Sequence, residues 1–494
     1  MNTKQRVSDI IPIADIEEWR NDEIVIIEAG TGAGKSYFIK NVLYEYAKSQ
    51  GKKILFLIHR SDCRDNFKAE IERDGKTDVI DLKTYQAIEQ NVFDRNQHFS
   101  YDEYMYIVCD EFHYFISDAA YNKTTDISFN EIISQKNAVK IFMSATGEDM
   151  EQYINMVHSG NIRKYSLPRN YSYINQLVMF NKDEDIITLA ECFIRLHEKA
   201  MFFIQSAEKA YSLYRQFKDH ALFNCSKSNR KYRKYIDTEK ISAMLTNERF
   251  DETILITTSC FDAGANIVDT EIKHIIVDIT DIGSLIQCVG RKRIQSDADT
   301  FSLYVKNIPN QRLSGLRTSA MRNIEMADCL LKSNEKELIE KYPRQVDMSC
   351  IIYDTIENDV VVKKVNMLMY YKKKSDVLFY EYLMGLKHGY CDYIKEYFQQ
   401  ERFESMDIDH SIETFLKEYA EKEIIMYQQK DRIPLIDKLG VKSKNRKRLK
   451  SREAQNAYLK EVGLPYMIHE FRASRVIDGK CKRYRSAWKV IKLE

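Results

Sequence analysis

The sequence predicts an α/β protein: two parallel-sheet domains in tandem, then a mainly helical C-terminal region that ends in a small basic module. Three observations predict it. Short β-branched runs alternate with amphipathic stretches from about Glu23 to Val305, the rhythm of parallel strands joined by helices. Beyond about Asn310 that rhythm gives way to long charged segments with helical periodicity. Charge is also unevenly spread. Residues Asp431 to Glu494 hold 18 Lys and Arg against 7 Asp and Glu, a net of +11, so a chain of net charge +1 carries −10 elsewhere. A basic end on an acidic body suits a module that touches a polyanion.

Buried strands are expected first at Glu23–Glu28, Lys53–His59, Asp78–Leu82, Tyr104–Asp110 and Val139–Ser144. A second series is expected at Ala200–Gln205, Leu222–Asn224, Thr253–Thr258, His274–Asp278 and Thr300–Val305. Each runs into polar or small residues, and open α/β sheets bind ligands beyond the carboxyl ends of their strands. The two sheets join near Arg163–Ser172. Helical periodicity then marks Arg317–Lys341 and the Tyr-rich Met367–Lys422. The end, Arg432–Glu494, reads as a short helical unit and a strand-turn-strand with Asp478-Gly479 at the turn. The expected domains are 1–165, 166–312, a helical accessory region 313–430 serving core and inter-domain packing, and a basic module 431–494.

A chain of 494 residues and 58.3 kDa suggests about three domains. With 44% hydrophobic and 30% charged residues it reads as globular rather than disordered. No stretch approaches the roughly 18 uninterrupted apolar residues of a membrane span, and Met1–Arg20 lacks a signal-peptide pattern. The ten cysteines are scattered without a CxxC pair, which predicts reduced, mostly buried thiols and a cytoplasmic location.

Two motifs carry chemistry directly. The strand ending at Glu28 runs into Ala29-Gly30-Thr31-Gly32-Ala33-Gly34-Lys35-Ser36, with a helix expected from Tyr37. Small residues let backbone N–H groups wrap a phosphate, with the helix N-terminus behind them. Lys35 would reach the β- and γ-phosphates and Ser36 would ligate Mg²⁺. Ala29 stands where the general P-loop pattern has its first glycine. Then, 75 residues after Lys35, the apolar strand Tyr104–Cys109 ends in Asp110-Glu111-Phe112-His113. Asp110 would hold Mg²⁺ through water, and Glu111 would polarise the attacking water. A further 34 residues on, Ser144-Ala145-Thr146 closes another strand.

Asp-Glu-x-His between a P-loop and Ser-Ala-Thr resembles the DExH group of superfamily 2 helicases. The rest of that family's motifs follow in order. His59-Arg60, Thr84-Tyr85-Gln86, Phe202–Ser206, Thr258 with Gly264-Ala265-Asn266, and Gln287-Cys288-Val289-Gly290-Arg291 each resemble one of them. The resemblance covers about residues 20–310. It implies two tandem RecA-like domains with ATP and Mg²⁺ in the cleft between them. It further implies that Gly264, Gln287, Arg291 and Arg293 meet the nucleotide from the second domain. Ser144 and Thr146 would couple hydrolysis to a strand held by its backbone at Arg60, Thr84 and Thr258. One departure stands out: the family pattern Gly-Arg-x-x-Arg places a second arginine at 294, where this chain has Ile294. The expectation is that Arg291 and Arg293 both face the nucleotide. No upstream glutamine motif for adenine is evident, so adenine specificity follows from the resemblance.

In the C-terminal module the run Lys442–Arg452 is dense in cations, with Lys444, Arg446 and Arg448 as candidate phosphate contacts. Further on, Arg472, Arg475, Lys480, Lys482, Arg483 and Arg485 alternate with Phe471, Tyr484 and Trp488, a pattern suited to stacked bases, the alternative being a solvated face over core aromatics. The resulting expectation is a DNA helicase or translocase, DNA being favoured over RNA and the compact, Lys/Ile/Tyr-rich chain suiting a phage, prophage or plasmid origin. An RNA helicase, a loader or sensor ATPase, and the motor subunit of a restriction or defence assembly stay open, as does a protein partner in a replication, repair or defence assembly.

Overall fold

The structure is a computed structural model that describes residues 5–59, 61–93, 99–117, 122, 124–226, 229–258, 266–343, 351–357, 359–406, 410–441, 448–461, 464–477 and 480–493. The chain divides into two compact units, Met1–Leu177 with Lys182–Phe403, and Val178–Asn181 with Glu404–Glu494.

In the first unit, β1 (Ile24–Glu28), β2 (Lys53–Ile58), β3 (Ile80–Thr84), β4 (Tyr104–Asp110), β5 (Val139–Ser144) and β6 (Ile162–Ser166) form a parallel sheet in the order β3-β2-β4-β5-β1-β6. Residues 24–27 are continuously apolar because both faces of the sheet are covered. Val25, Ile27, Ile54 and Phe56 pack under helices carrying Ile11, Trp19 and Leu43. The alternate set, Ile24, Ile26, Leu55 and Leu57, packs with Phe115, Phe142 and Tyr153.

The second sheet contains β7 (Ile174–Phe180), β8 (Lys199–Ile204), β9 (Ala221–Phe223), β10 (Ile254–Thr257), β11 (Ile272–Asp278) and β12 (Phe301–Lys306), in the order β7-β12-β11-β8-β10-β9. The expected strands all form, with ends moved by one or two residues, as terminal assignments usually are. Two strands were not anticipated, β6 and β7, at the expected domain junction. β6 is an edge strand whose Arg163 and Lys164 pair with Glu23 and Glu28 (3.0 Å each) rather than entering the core, so it shows no apolar run. The P-loop helix begins at Lys35, not Tyr37, and contains a π-helical stretch at Phe38–Leu43.

After β12 the chain enters the helix Asn310–Lys332, which packs along the helix Met367–Gly385 with Arg317 and Glu381 paired at 2.6 Å. The second helix docks on the first sheet's domain. Leu368 is fully buried in that core, and the Tyr371 hydroxyl donates to Gln152 (3.1 Å). The next helix, Tyr390–Tyr397, covers the segment that joins the two sheets. Phe398 packs edge-on against Tyr171 at 4.9 Å, and the Arg169 guanidinium lies 4.9 Å from the Tyr397 ring. An antiparallel hairpin, β13 (Ile352–Glu357) and β14 (Val360–Val365), interrupts the region read as helical.

The Tyr353 hydroxyl on β13 donates to Asp126 (3.4 Å), whose other carboxylate oxygen has no hydrogen-bond partner among the described residues. Burial pushes Asp126 up to about 6 from an ordinary 3.8. Folded protein therefore binds this proton more tightly than unfolded protein. The contribution is favourable below about pH 4 and is lost as pH rises through 6. Asp126→Asn is expected to raise thermal stability at pH 8, by about 1–3 kcal/mol. The gain should vanish near pH 4 in paired melts.

The second unit has its own core of Leu416, Met426, Leu435, Leu459, Ile468 and Trp488. The helices Gln429–Leu439 and Arg452–Glu461 precede an antiparallel pair of long strands, Tyr466–Ile477 and Lys480–Lys492, as the sequence predicts. The residues at the predicted turn, Asp478 and Gly479, lie outside those described.

Candidate active site

β1 delivers the phosphate-binding loop at its carboxyl end. Gly32 (φ +79°) and Gly34 (φ +87°) take left-handed backbone that a side chain would strain. Lys35 is buried, and its ammonium donates to the Ala29 carbonyl at 2.9 Å. Ser36 follows in the first helical turn, exposed, so its hydroxyl is accessible. Gly30 and Gly32 are exposed, Thr31 is half-buried and Ala33 buried.

β4 ends at Asp110, and the next residue, Glu111, has φ +49°. A non-glycine residue in that region is strained, and such strain collects at functional sites. Burial and then the adjacent Glu111 charge push Asp110 up to about 7. Glu111 itself is held well below the usual carboxylate range: burial opposes this, but Lys35 and a hydrogen bond from His113 prevail. No ion pair to Asp110 is present among the described residues. A partly buried carboxylate without an ion pair, at the carboxyl edge of the sheet that also carries the P-loop serine, fits a divalent-metal ligand set.

A chain of hydrogen bonds starts at Glu111. Ser144 Oγ donates to Glu111 Oε2 (3.3 Å), His113 Nδ1 meets Ser144 Oγ (2.8 Å), and Gln287 Nε2 meets His113 Nε2 (2.7 Å). An amide nitrogen can only donate, so His113 Nε2 accepts and the ring proton sits on Nδ1. This chain crosses from the first sheet's domain to the second. Thr146 donates its N–H to Ser144 Oγ (3.0 Å), while its own hydroxyl is buried without a partner among the described residues. Gly147 follows because a Cβ there would stand 2.3 Å from the Phe112 ring.

From the second domain, the helix Ile282–Val289 presents Gln287 and stops at Gly290, where a Cβ would lie 2.8 Å from Thr31 Oγ1. Beyond it the chain is extended. Lys292 bridges Ile267, with Ile267 N–H donating to Arg291 O (2.9 Å) and Arg293 N–H to Ile267 O (2.8 Å). Extended backbone alternates its side chains. Lys292 turns inward to a buried pair with Asp299 (2.5 Å), which leaves Arg291 and Arg293 on the opposite side. Arg293 donates to Asn266 Oδ1 (2.7 Å), and its Nη1 lies 3.2 Å from a Cβ placed on Gly32. Arg291 is close enough for its charge to help lower Glu111. A helix brings positions i and i+3 to one side; here the extended segment does so with i and i+2. That explains the two-residue spacing.

The structure thus gathers Gly30–Ser36, Asp110, Glu111, Ser144, Thr146, Gln287, Arg291 and Arg293 around one cleft. Thr84 stands apart, at the end of β3, accepting from Ala87 N–H (3.1 Å), and Thr258 is buried just beyond β10. Arg60, Gly264, Lys444 and Arg446 lie outside the described residues. Arg448 is exposed and paired with Asp437. His113 and Asn266 were quoted in motifs without a role; their spacing beside Glu111 and before Arg293 was the available signal.

In the second unit Trp488 is core, 4% exposed under the Arg432 guanidinium at 4.1 Å, rather than a stacking platform. Tyr484 and Tyr427 are half-buried, 5.0 Å apart, with Lys482 and Arg475 over them at 5.6 and 5.7 Å. Lys489 lies 5.5 Å over Phe471.

Residues 67–149 match the family described as Type III restriction enzyme, res subunit. No curated protein matches. Among solved structures the chain is similar to S. cerevisiae Dbp5 bound to RNA and ADP BeF3, with 16% identity, 61% of this chain and 83% of that one covered, and a TM-score of 0.44. It is similar to Mss116p bound to ssRNA and AMP-PNP, with 16% identity, 67% and 80% covered, and a TM-score of 0.44. It is also similar to the Pyrococcus furiosus Hef helicase domain, with 12% identity, 61% and 95% covered, and a TM-score of 0.38. The ordered motifs lie around one cleft between two parallel sheets, and residues 67–149 of the first domain match the restriction-enzyme family model.

Proposed function

We propose that the chain is a DNA-directed helicase or translocase of the DExH type. The observation that carries this reading is the hydrogen-bond chain from Glu111 through Ser144 and His113 to Gln287, which ties the hydrolytic carboxylate to the second domain. Lys35 and the loop from Gly30 to Ser36 would hold the β- and γ-phosphates. Ser36 and Asp110 would hold Mg²⁺, which when bound neutralises phosphate charge. Glu111 accepts the proton of the attacking water. Gln287, Arg291 and Arg293 approach from the other wall, where Gly264 would join them, so closure assembles the site and opening disperses it. Ser144 and Thr146 pass that change to a strand held by its backbone at Arg60, Thr84 and Thr258, contacts that read no sequence.

The basic module adds phosphate contacts at Lys444, Arg446 and Arg448, and along the C-terminal strands. Arg472, Arg483 and Arg485 are exposed there. Matching a restriction-enzyme family over residues 67–149 supports the choice of DNA. Strand displacement on DNA and RNA duplexes with single-stranded overhangs tests the reading. ATP-dependent separation of the DNA duplex is expected. Arg472→Ala/Arg483→Ala should weaken DNA binding uniformly across sequences and flatten its salt dependence by about two phosphate contacts. Separation of RNA alone would make the protein an RNA helicase. ATP turnover without separation of either would leave a translocase, loader or defence-assembly motor.

A further inference from the structure

The helical accessory region is tied to both halves of the cleft. It grows directly from β12 of the second domain, yet its helix Met367–Gly385 docks on the first. Opening or closing the cleft must therefore move that helix against one wall or the other. The contact it makes beside the cleft is polar. Ser375 Oγ donates to Asp149 Oδ1 (3.0 Å), and Lys372 Nζ lies 3.9 Å from Asp149 Oδ2 and 2.5 Å from Asp376.

Asp149 stands in the first turn of the helix Glu148–Val157, three residues after Thr146. Facing it from the second domain is the start of the helix that carries Gln287. Asp281 caps that helix by accepting the Ser284 N–H (2.8 Å), and a Cβ on Gly283 would lie 3.9 Å from Thr146 Oγ1. Closure thus brings a carboxylate from each domain to the same corner. Lys372 is the cation there; burial opposes its charge, but Asp376, Asp149 and Asp281 hold the proton on it. A helix-surface pair with Asp376 alone would be worth only a few tenths of a kcal/mol. A Cβ on Gly283 would meet both Asp281 Oδ2 (3.4 Å) and Thr146 Oγ1 (3.9 Å), so the Asp281 carboxylate borders the turn that leads to Asp149, the lysine's partner at 3.9 Å.

We propose that Lys372 is a positioning residue for cleft closure, its ammonium offsetting the repulsion between Asp149 and Asp281 as the two domains meet. This rests on the reading that ATP is hydrolysed in the closed cleft. Lys372→Met is expected to lower kcat/KM for ATP about tenfold, chiefly through KM, because a smaller fraction of the enzyme reaches the binding-competent state. The loss should shrink as ionic strength rises.

The decisive variant is Lys372→Met/Asp149→Asn. Removing one of the two opposed carboxylates should restore kcat/KM to within about twofold of wild type, as should Lys372→Arg. These measurements are made on the full chain without nucleic acid, with a thermal melt of each variant. Lys372→Met turnover within twofold of an active wild type overturns the proposal alone. So does a loss that Asp149→Asn fails to relieve and that follows a lowered melting temperature, since the lysine would then only stabilise the fold. A wild type inert toward ATP overturns the underlying reading as well.

Discussion

Lys35→Ala is expected to lower ATP turnover by on the order of 10³-fold, the scale of losing one preorganised charged donor at a reacting centre. The lysine is 8% exposed at the foot of the phosphate-binding loop, and its ammonium donates to the carbonyl of Ala29. An ammonium held there is committed to the loop's anion, because among the described residues no carboxylate is hydrogen-bonded to it. The fold should survive, since alanine is tolerated in the first turn of a helix and only one neutral carbonyl loses its donor. Steady-state ATPase assays, with circular dichroism as the control for folding, check this. A folded variant with turnover within tenfold of wild type would remove Lys35 from the phosphate site.

Glu111→Gln is expected to bind ATP with near-normal affinity while turnover falls about 10²–10⁴-fold, the usual contribution of a general base. Glutamine preserves the size of the side chain and still offers an oxygen to Ser144 Oγ, now 3.3 Å from Glu111. It cannot take a proton. The Glu111 carboxylate is kept ionised by Lys35 and His113 against burial, the state a base needs, whereas burial and the Glu111 charge push Asp110 beside it up to about 7. The two carboxyls are thus driven apart by their surroundings, the pattern that separates acid, base and ligand roles. Equilibrium binding of a fluorescent ATP analogue beside single-turnover hydrolysis separates the two effects. Normal turnover by this variant would dismiss Glu111 as the base.

The sequence made the central strands and the first wall of the cleft legible because both rest on local patterns. Residues 24–27 and 104–109 are apolar on every side, and a P-loop declares itself by small residues between a strand and a helix. The edge strand Ile162–Ser166 was missed for the opposite reason: two of its five residues are charged and satisfied by ion pairs. The hairpin at Ile352–Val365 lies between the two segments of helical periodicity and drew no reading, being charged, as its Lys363 pairs with Asp354 across the strands (2.7 Å). Arg293 could be picked out as a candidate, but its partner Asn266 and its place above Gly32 depend on an extended segment that no sequence rule specifies. Trp488 looked like an exposed aromatic among cations. Only the packing of Met426, Leu435 and Val490 around it makes it core. Nothing in sequence spacing brings Lys372, Asp149 and Asp281 together, since they lie on three different elements.

The central claim is that ATP hydrolysis in this cleft answers to nucleic acid. The measurement that tests it most directly is the ATPase rate of the full chain alone and then with single-stranded DNA, duplex DNA and RNA, with Lys35→Ala as the blank. Clear stimulation by DNA is expected, weakening as salt rises, and none in the blank. A wild type that hydrolyses ATP at one unchanged rate under all four conditions would contradict it.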